Sequence, residues 1–146
     1  MKACGLPVKG AIHLVRDPRA YVASAKRVGV SIDSAVQSWV KAHTMIETTT
    51  RRAGENVMRI RYEDFCDRPS DFLDALQKWM GLSAEPLLRK PRKHLHWLGN
   101  ASLLSFAGEI RASERWREEL SKPELDRIYR AAGPTAGQYG YDLAPL

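Results

Sequence analysis

Apolar positions along the chain fall into short strand-like runs and longer helical stripes. "GAIHLV" (10–15) is a nearly continuous apolar run after a glycine, which predicts a strand buried on both faces of a parallel sheet. Asp17 then offers a side-chain cap and Pro18 a favoured first helical position, so "PRAYVASAKRVG" (18–29) is predicted to be a helix closed by Gly29. In residues 31–54, Ile32, Val36, Trp39, Val40, His43 and Ile46 recur at helical spacing, and the segment ends in Arg51, Arg52 and Gly54. "NVMRIRYEDF" (56–65) alternates, with Met58, Ile60 and Tyr62 on one face and Arg59 and Arg61 on the other, which predicts a second strand. "DRPSDFLDALQKWMGL" (67–82) repeats the start signal with Asp67 and Pro69, carries the stripe Phe72, Leu73, Leu76, Trp79 and Met80, and stops at Gly81.

Periodicity is weak over 83–115, which predicts irregular chain with short helices. "SKPELDRIYRAAG" (121–133) predicts a late helix with the stripe Leu125, Ile128, Tyr129 and Ala132. The tail "QYGYDLAPL" is expected to be extended and docked through its tyrosines. The order β-α-α-β-α, with irregular and helical additions, is that of an α/β domain with few strands. Neither a repeat nor a linker interrupts it, so 1–146 is expected to be a single domain.

Composition changes this picture little. The chain has 146 residues, 44% hydrophobic and 27% charged, with a mean hydropathy of −0.40, as in ordinary globular proteins. No apolar run approaches the roughly 20 residues of a membrane span. "MKACGLPVKG" has no apolar core of a secretory signal. Cys4 and Cys66 are unclustered thiols without metal spacing, so no metal is expected and a reducing, cytoplasmic setting fits. The net charge of +6 favours an anionic partner, whether nucleic acid, lipid or a phosphorylated or sulfated small molecule.

The candidate chemistry lies where the first strand meets its helix. In parallel α/β sheets, ligands bind at the carboxyl ends of strands, where helix N-termini direct N–H groups outward. Arg16 stands at such an end, and its guanidinium can grip a phosphate bidentately. At about 100° per residue, the seven residues from Asp17 to Ser24 make almost two turns, so the Ser24 hydroxyl returns to the same face. The same residues also suit an ordinary strand-to-helix junction, with Asp17 capping, the arginines solvated and Ser24 packing.

"LVRDPRAYVAS" resembles the 3′-phosphate-binding motif of sulfotransferases that use 3′-phosphoadenosine 5′-phosphosulfate (PAPS). "RIRYEDF" with "DRPSDFLDALQKWMGL", then "HWLGN", "GEIRASERWREEL" and "GQYGYDL", are similar to later segments of that family in the same order. The resemblance implies a partial P-loop-like, sulfotransferase-type parallel sheet with flanking helices, helix-rich because N-terminal strands are missing. It implies PAPS as co-substrate and transfer of a sulfuryl group to a hydroxyl or amine on a small molecule or carbohydrate. Arg16 and Ser24 would hold the 3′-phosphate, Tyr62 would stand near the adenine, and Arg111 would close over the phosphate, with Arg115 competing for that role. Asn100 could shape a turn, Arg19 is expected in solvent, and Glu63 and Asp64 are expected to cap and pair at the strand end.

The family's loop for the 5′-phosphosulfate, of the Lys-Ser-Gly-Thr kind between a strand and a helix, has no counterpart. "GLPVKGA" precedes a strand instead. No histidine clearly fills the role of acceptor base: His13 and His43 lie at apolar positions, and His94 and His96, in the irregular segment, are the ones that could approach the acceptor. The chain alone is thus expected to be inactive, as the later part of such an enzyme or one half of a split or oligomeric one. A non-catalytic binding module of the same ancestry is the alternative. A basic nucleic-acid binder ranks last, because no recognised fold or aromatic-rich strand supports it.

Overall fold

The computed structural model describes residues 10–53, 56–82 and 111–143. They fall into two compact units, Met1–Glu63 with Ser113–Leu146, and Asp64–Ala112. The architecture is helix-rich α/β, with one parallel two-stranded sheet and six helices among the described residues. No helix there is long and apolar enough to cross a membrane.

In the first unit, β1 (Ala11–Val15) pairs in parallel with β2 (Val57–Arg61), in a register running from Ala11 opposite Val57 to Val15 opposite Arg61. Between them lie α1 (Pro18–Arg27) and α2 (Ile32–Ala53). The start of α1 is fixed locally: an Asp17 carboxylate oxygen accepts the Arg19 N–H at 2.7 Å, and Pro18 opens the helix. Gly29, at φ +84°, supplies the left-handed turn after α1, its N–H bonded to the Lys26 carbonyl.

α3 (Tyr62–Asp67) follows β2 directly. The remainder of this unit is α5 (Trp116–Glu119), α6 (Lys122–Gly137) and a tail that turns through residues 138–140 rather than running extended from the helix end. The buried faces are regular: Ile32, Ala35, Val36 and Trp39 on α2, and Ile128, Ala132 and Ala136 on α6. They enclose a core with Val15, Val22, Ala23 and Trp116, and Tyr139, Tyr141 and Leu143 dock the tail onto it as expected. The second unit holds α4 (Pro69–Met80), ended by Gly81 at φ +70° as the sequence predicts, with Phe65 and Phe72 in edge contact.

Four further local expectations are corrected. β1 is buried on one face only: His13 and Val15 are enclosed, whereas Ile12 and Leu14 are about half exposed (49% and 51%). With α2 packed against β1 on its buried side, alternation replaces the expected two-sided burial. The second strand stops at Arg61, and Tyr62-Glu63-Asp64-Phe65 turn into α3, because Glu63 and Asp64 suit the first turn of a helix better than a sheet. α4 begins after Arg68, since Asp67 closes α3 and cannot also cap the next helix. α6 continues through Gly133 and Pro134 to Gly137. Pro134 removes one helical donor, but the wholly buried Ala136 and the docked Tyr139 hold the last turn in place. The residues His94, His96 and Asn100 lie outside the described residues, as does most of the predicted irregular segment.

Candidate functional site

At the carboxyl ends of β1 and β2 the chain turns within two residues, Arg16 and Asp17, into α1, and without any intervening residue into α3. Short junctions leave little freedom, so the backbone around Arg16 is held from several sides. The Arg16 carbonyl accepts the Trp39 indole N–H at 3.0 Å. The Asp17 N–H donates to Glu63 Oε1 at 3.0 Å. Tyr141 donates its hydroxyl to Glu63 Oε2 at 2.6 Å and also lies 3.1 Å from the Val15 carbonyl. Glu63 thus pairs across the strand ends, as expected.

The Arg16 guanidinium lies over the Tyr62 ring, 5.0 Å from its centroid, so the structure brings two of the four candidate residues together. Arg16 Nε is buried and has no hydrogen-bond partner among the described residues. A buried donor left without an acceptor costs on the order of 1–3 kcal/mol, which an oxyanion would recover. Ser24 is half-buried two turns along α1 and is not hydrogen-bonded to Arg16. Arg111 is exposed and belongs to the second unit, whereas its competitor Arg115 is exposed in the first, just before α5.

Arg19 is not the solvated residue the sequence suggests. Its guanidinium grips the Asp17 carboxylate, with Nη2 at 2.7 Å from Oδ2, and stacks on Trp116 at 4.1 Å. Arg117 lies 4.6 Å from the centroid of the same ring. The pairing has a consequence for the site. Asp17 would otherwise place an uncompensated negative charge at the N-terminus of α1 and repel an anion there; Arg19 offsets it.

Sequence reasoning missed a second constellation. His13 Nε2 and His43 Nδ1 are 2.8 Å apart, and His13 Nδ1 is 3.4 Å from Glu47 Oε1. Glu47 accepts two bonds from Arg59 at 2.7 and 2.6 Å and one from the Tyr139 hydroxyl at 3.3 Å. The sequence places both histidines at apolar positions, His13 as a core residue or one behind the site and His43 as buried packing; both are buried, at 2% and 8% exposure, and their mutual hydrogen bond is the addition.

Burial lowers the pKa of His13, against the attraction of Glu47. Burial and then repulsion from His13 bring His43 down to about 4. Arg59 keeps Glu47 ionised. With the carboxylate on the Nδ1 side, the His13 proton belongs on Nδ1, facing Glu47 at an ion-pair distance without a formed hydrogen bond, and His43 Nδ1–H donates to His13 Nε2. The only signal in the sequence is the four-residue spacing of His43 and Glu47 on one helical face.

Among the described residues no group of three or more His, Cys, Asp or Glu side chains could hold a metal ion. Compared with models of protein families, with curated proteins and with solved structures, the chain matches none.

Proposed function

We propose that the first unit binds the 3′-phosphoadenosine part of PAPS, and that the chain, completed by a cradle for the 5′-phosphosulfate, transfers a sulfuryl group to a hydroxyl or amine acceptor. Arg16 carries the reading. It is a guanidinium at a parallel strand end, beside a helix N-terminus whose own carboxylate is already neutralised, with one buried N–H lacking an acceptor. A phosphate dianion fits that donor set through a bidentate grip and the positive end of α1. Ser24, on α1, would donate its hydroxyl to the same group. Tyr62, one of whose contacts is the Arg16 guanidinium, would stand beside the base with the rest of its ring.

No strand–glycine loop–helix unit occurs among the described residues, whose strand-to-helix junctions are those at Arg16-Asp17 and at Arg61-Tyr62. The chemistry of transfer, the activating base and the acceptor site therefore belong to residues beyond these, and the described ones act in binding and orientation.

Titration with 3′-phosphoadenosine 5′-phosphate (PAP) against AMP tests the reading, because the two differ in the 3′-phosphate alone. PAP should raise the thermal midpoint and AMP should do little. Arg16→Ala should weaken PAP binding about 10- to 100-fold, the value of a charge-assisted pair. Equal binding of the two nucleotides by the unaltered protein, or PAP binding indifferent to Arg16→Ala, would overturn it.

A further inference from the structure

The tail after α6 reaches both strand ends, and the nucleotide reading leaves it without a role. Gly140, at φ +76°, turns the chain so that Tyr139 and Tyr141 are both buried. The Tyr141 ring lies under the Arg61 guanidinium at 4.4 Å, and its hydroxyl reaches Glu63 Oε2 and the Val15 carbonyl. Through its other oxygen, Glu63 accepts the Asp17 N–H. Val15 and Asp17 are the chain neighbours of Arg16, and Arg61 and Glu63 those of Tyr62. Both neighbours of Arg16 and of Tyr62 are therefore tied to Tyr141, directly or through Glu63.

A phenol has one proton, and two acceptors face it. The carboxylate at 2.6 Å takes the short, charge-assisted bond, and the carbonyl at 3.1 Å shares it weakly. The ring alone would serve packing, as phenylalanine does in any core. The hydroxyl does something a phenylalanine could not. Together with the Asp17 N–H it engages each oxygen of Glu63 once and so fixes the direction of this carboxylate, the acidic residue next to Tyr62, on whose ring Arg16 rests. An uncovered carboxylate there is the natural acceptor for the unpartnered Arg16 Nε.

We propose that Tyr141 is a positioning residue of this site: its hydroxyl holds Glu63 away from Arg16, so that the guanidinium is kept for an anionic ligand. With the nucleotide reading above, on which this assignment rests, that ligand is the 3′-phosphate.

Three proteins test it: unaltered, Tyr141→Phe, and Tyr141→Phe combined with Glu63→Gln. Each is titrated with PAP and with AMP after far-UV circular dichroism and a thermal melt have established folding. Tyr141→Phe keeps the ring over Arg61, and its PAP-to-AMP affinity ratio should fall at least tenfold, because Glu63 captures Arg16. The added Glu63→Gln removes that competing charge, and the ratio should recover to within about threefold of the unaltered protein.

A merely structural role for the hydroxyl would not be rescued by neutralising Glu63, so loss without recovery overturns the proposal. So does an undiminished ratio in Tyr141→Phe. If Tyr141→Phe does not fold, a folded double variant with the unaltered ratio supports the proposal, and failure of both variants to fold assigns Tyr141 to the core and overturns it. If the unaltered protein itself does not prefer PAP, the nucleotide reading fails, and this assignment with it; that result is distinct from the others because it appears before any substitution is made.

Discussion

Two imidazoles whose nitrogens face each other at 2.8 Å can share a hydrogen bond only while one of those nitrogens is bare. Charging both rings of His13 and His43 would set two N–H groups against each other in a buried site. Histidines with lowered pKa values bind protons more readily unfolded than folded, so the contribution of both to stability is complete above about pH 6.5 and declines below it, that of His43 being lost as the pH falls towards about 4. For His43 the loss should reach about 3 kcal/mol, measurable as the difference in urea unfolding between pH 7 and pH 4. His43→Gln should flatten that dependence; an unchanged slope in the variant would assign the acid sensitivity elsewhere.

Glu47 is also lowered, by Arg59, so its contribution is present above its unfolded value near 4.5 and disappears at lower pH still. Tyr139 moves oppositely. Burial and Glu47 raise it to about 12, so its share is complete below about pH 10 and is lost as the pH climbs through the folded value.

At the scale of elements, the start of α6 joins a local device to a distant one. The Ser121 N–H donates to Glu124 Oε2 at 2.7 Å, and Lys26 of α1 donates to the other oxygen at 2.8 Å. These bonds depress Glu124 to about 2, that of Lys26 contributing most. Lys26 also donates to the Glu119 carbonyl at the end of α5, so one ammonium links three helices. Glu124→Ala should cost about 1–2 kcal/mol by losing both cap and link, and Lys26→Ala under about 1 kcal/mol, because the Lys26 side chain is exposed to solvent. Chemical unfolding of the two variants gives the comparison, and equal losses would deny the cap its share.

Helix beginnings were legible because their signals are local: Asp17 with Pro18, Ser121 with Glu124. Ends were less so. Gly133-Pro134 is a stop signal in sequence, yet α6 passes through it to bury Ala136, and Tyr62-Glu63-Asp64-Phe65 left its strand for a helix.

At the scale of the whole molecule, the largest buried cluster among the described residues lies in the first unit. Ile128, Ala132 and Ala136 on α6 are wholly buried against the face of α2 that bears Val36 and Trp39. Ile128→Ala should cost about 2–5 kcal/mol, whereas Leu14→Thr, on the open face of β1, should change stability by less than about 1 kcal/mol, both read from denaturant midpoints. A large loss from Leu14→Thr would mean that this face is covered in solution.

The sequence by itself determined what depends on neighbours a few residues apart: the parallel α/β alternation, the helical stripes, the caps of α1 and α6, and the placing of Arg16 at a strand end. Only the tertiary structure decided which distant groups meet. Arg16 rests on Tyr62, forty-six residues away, Tyr141 closes on Glu63, and His13 finds His43. Periodicity fixes the direction in which a side chain points from its own element, but the partner waiting there is chosen by how the elements pack. Such contacts are therefore written in no short stretch of the chain.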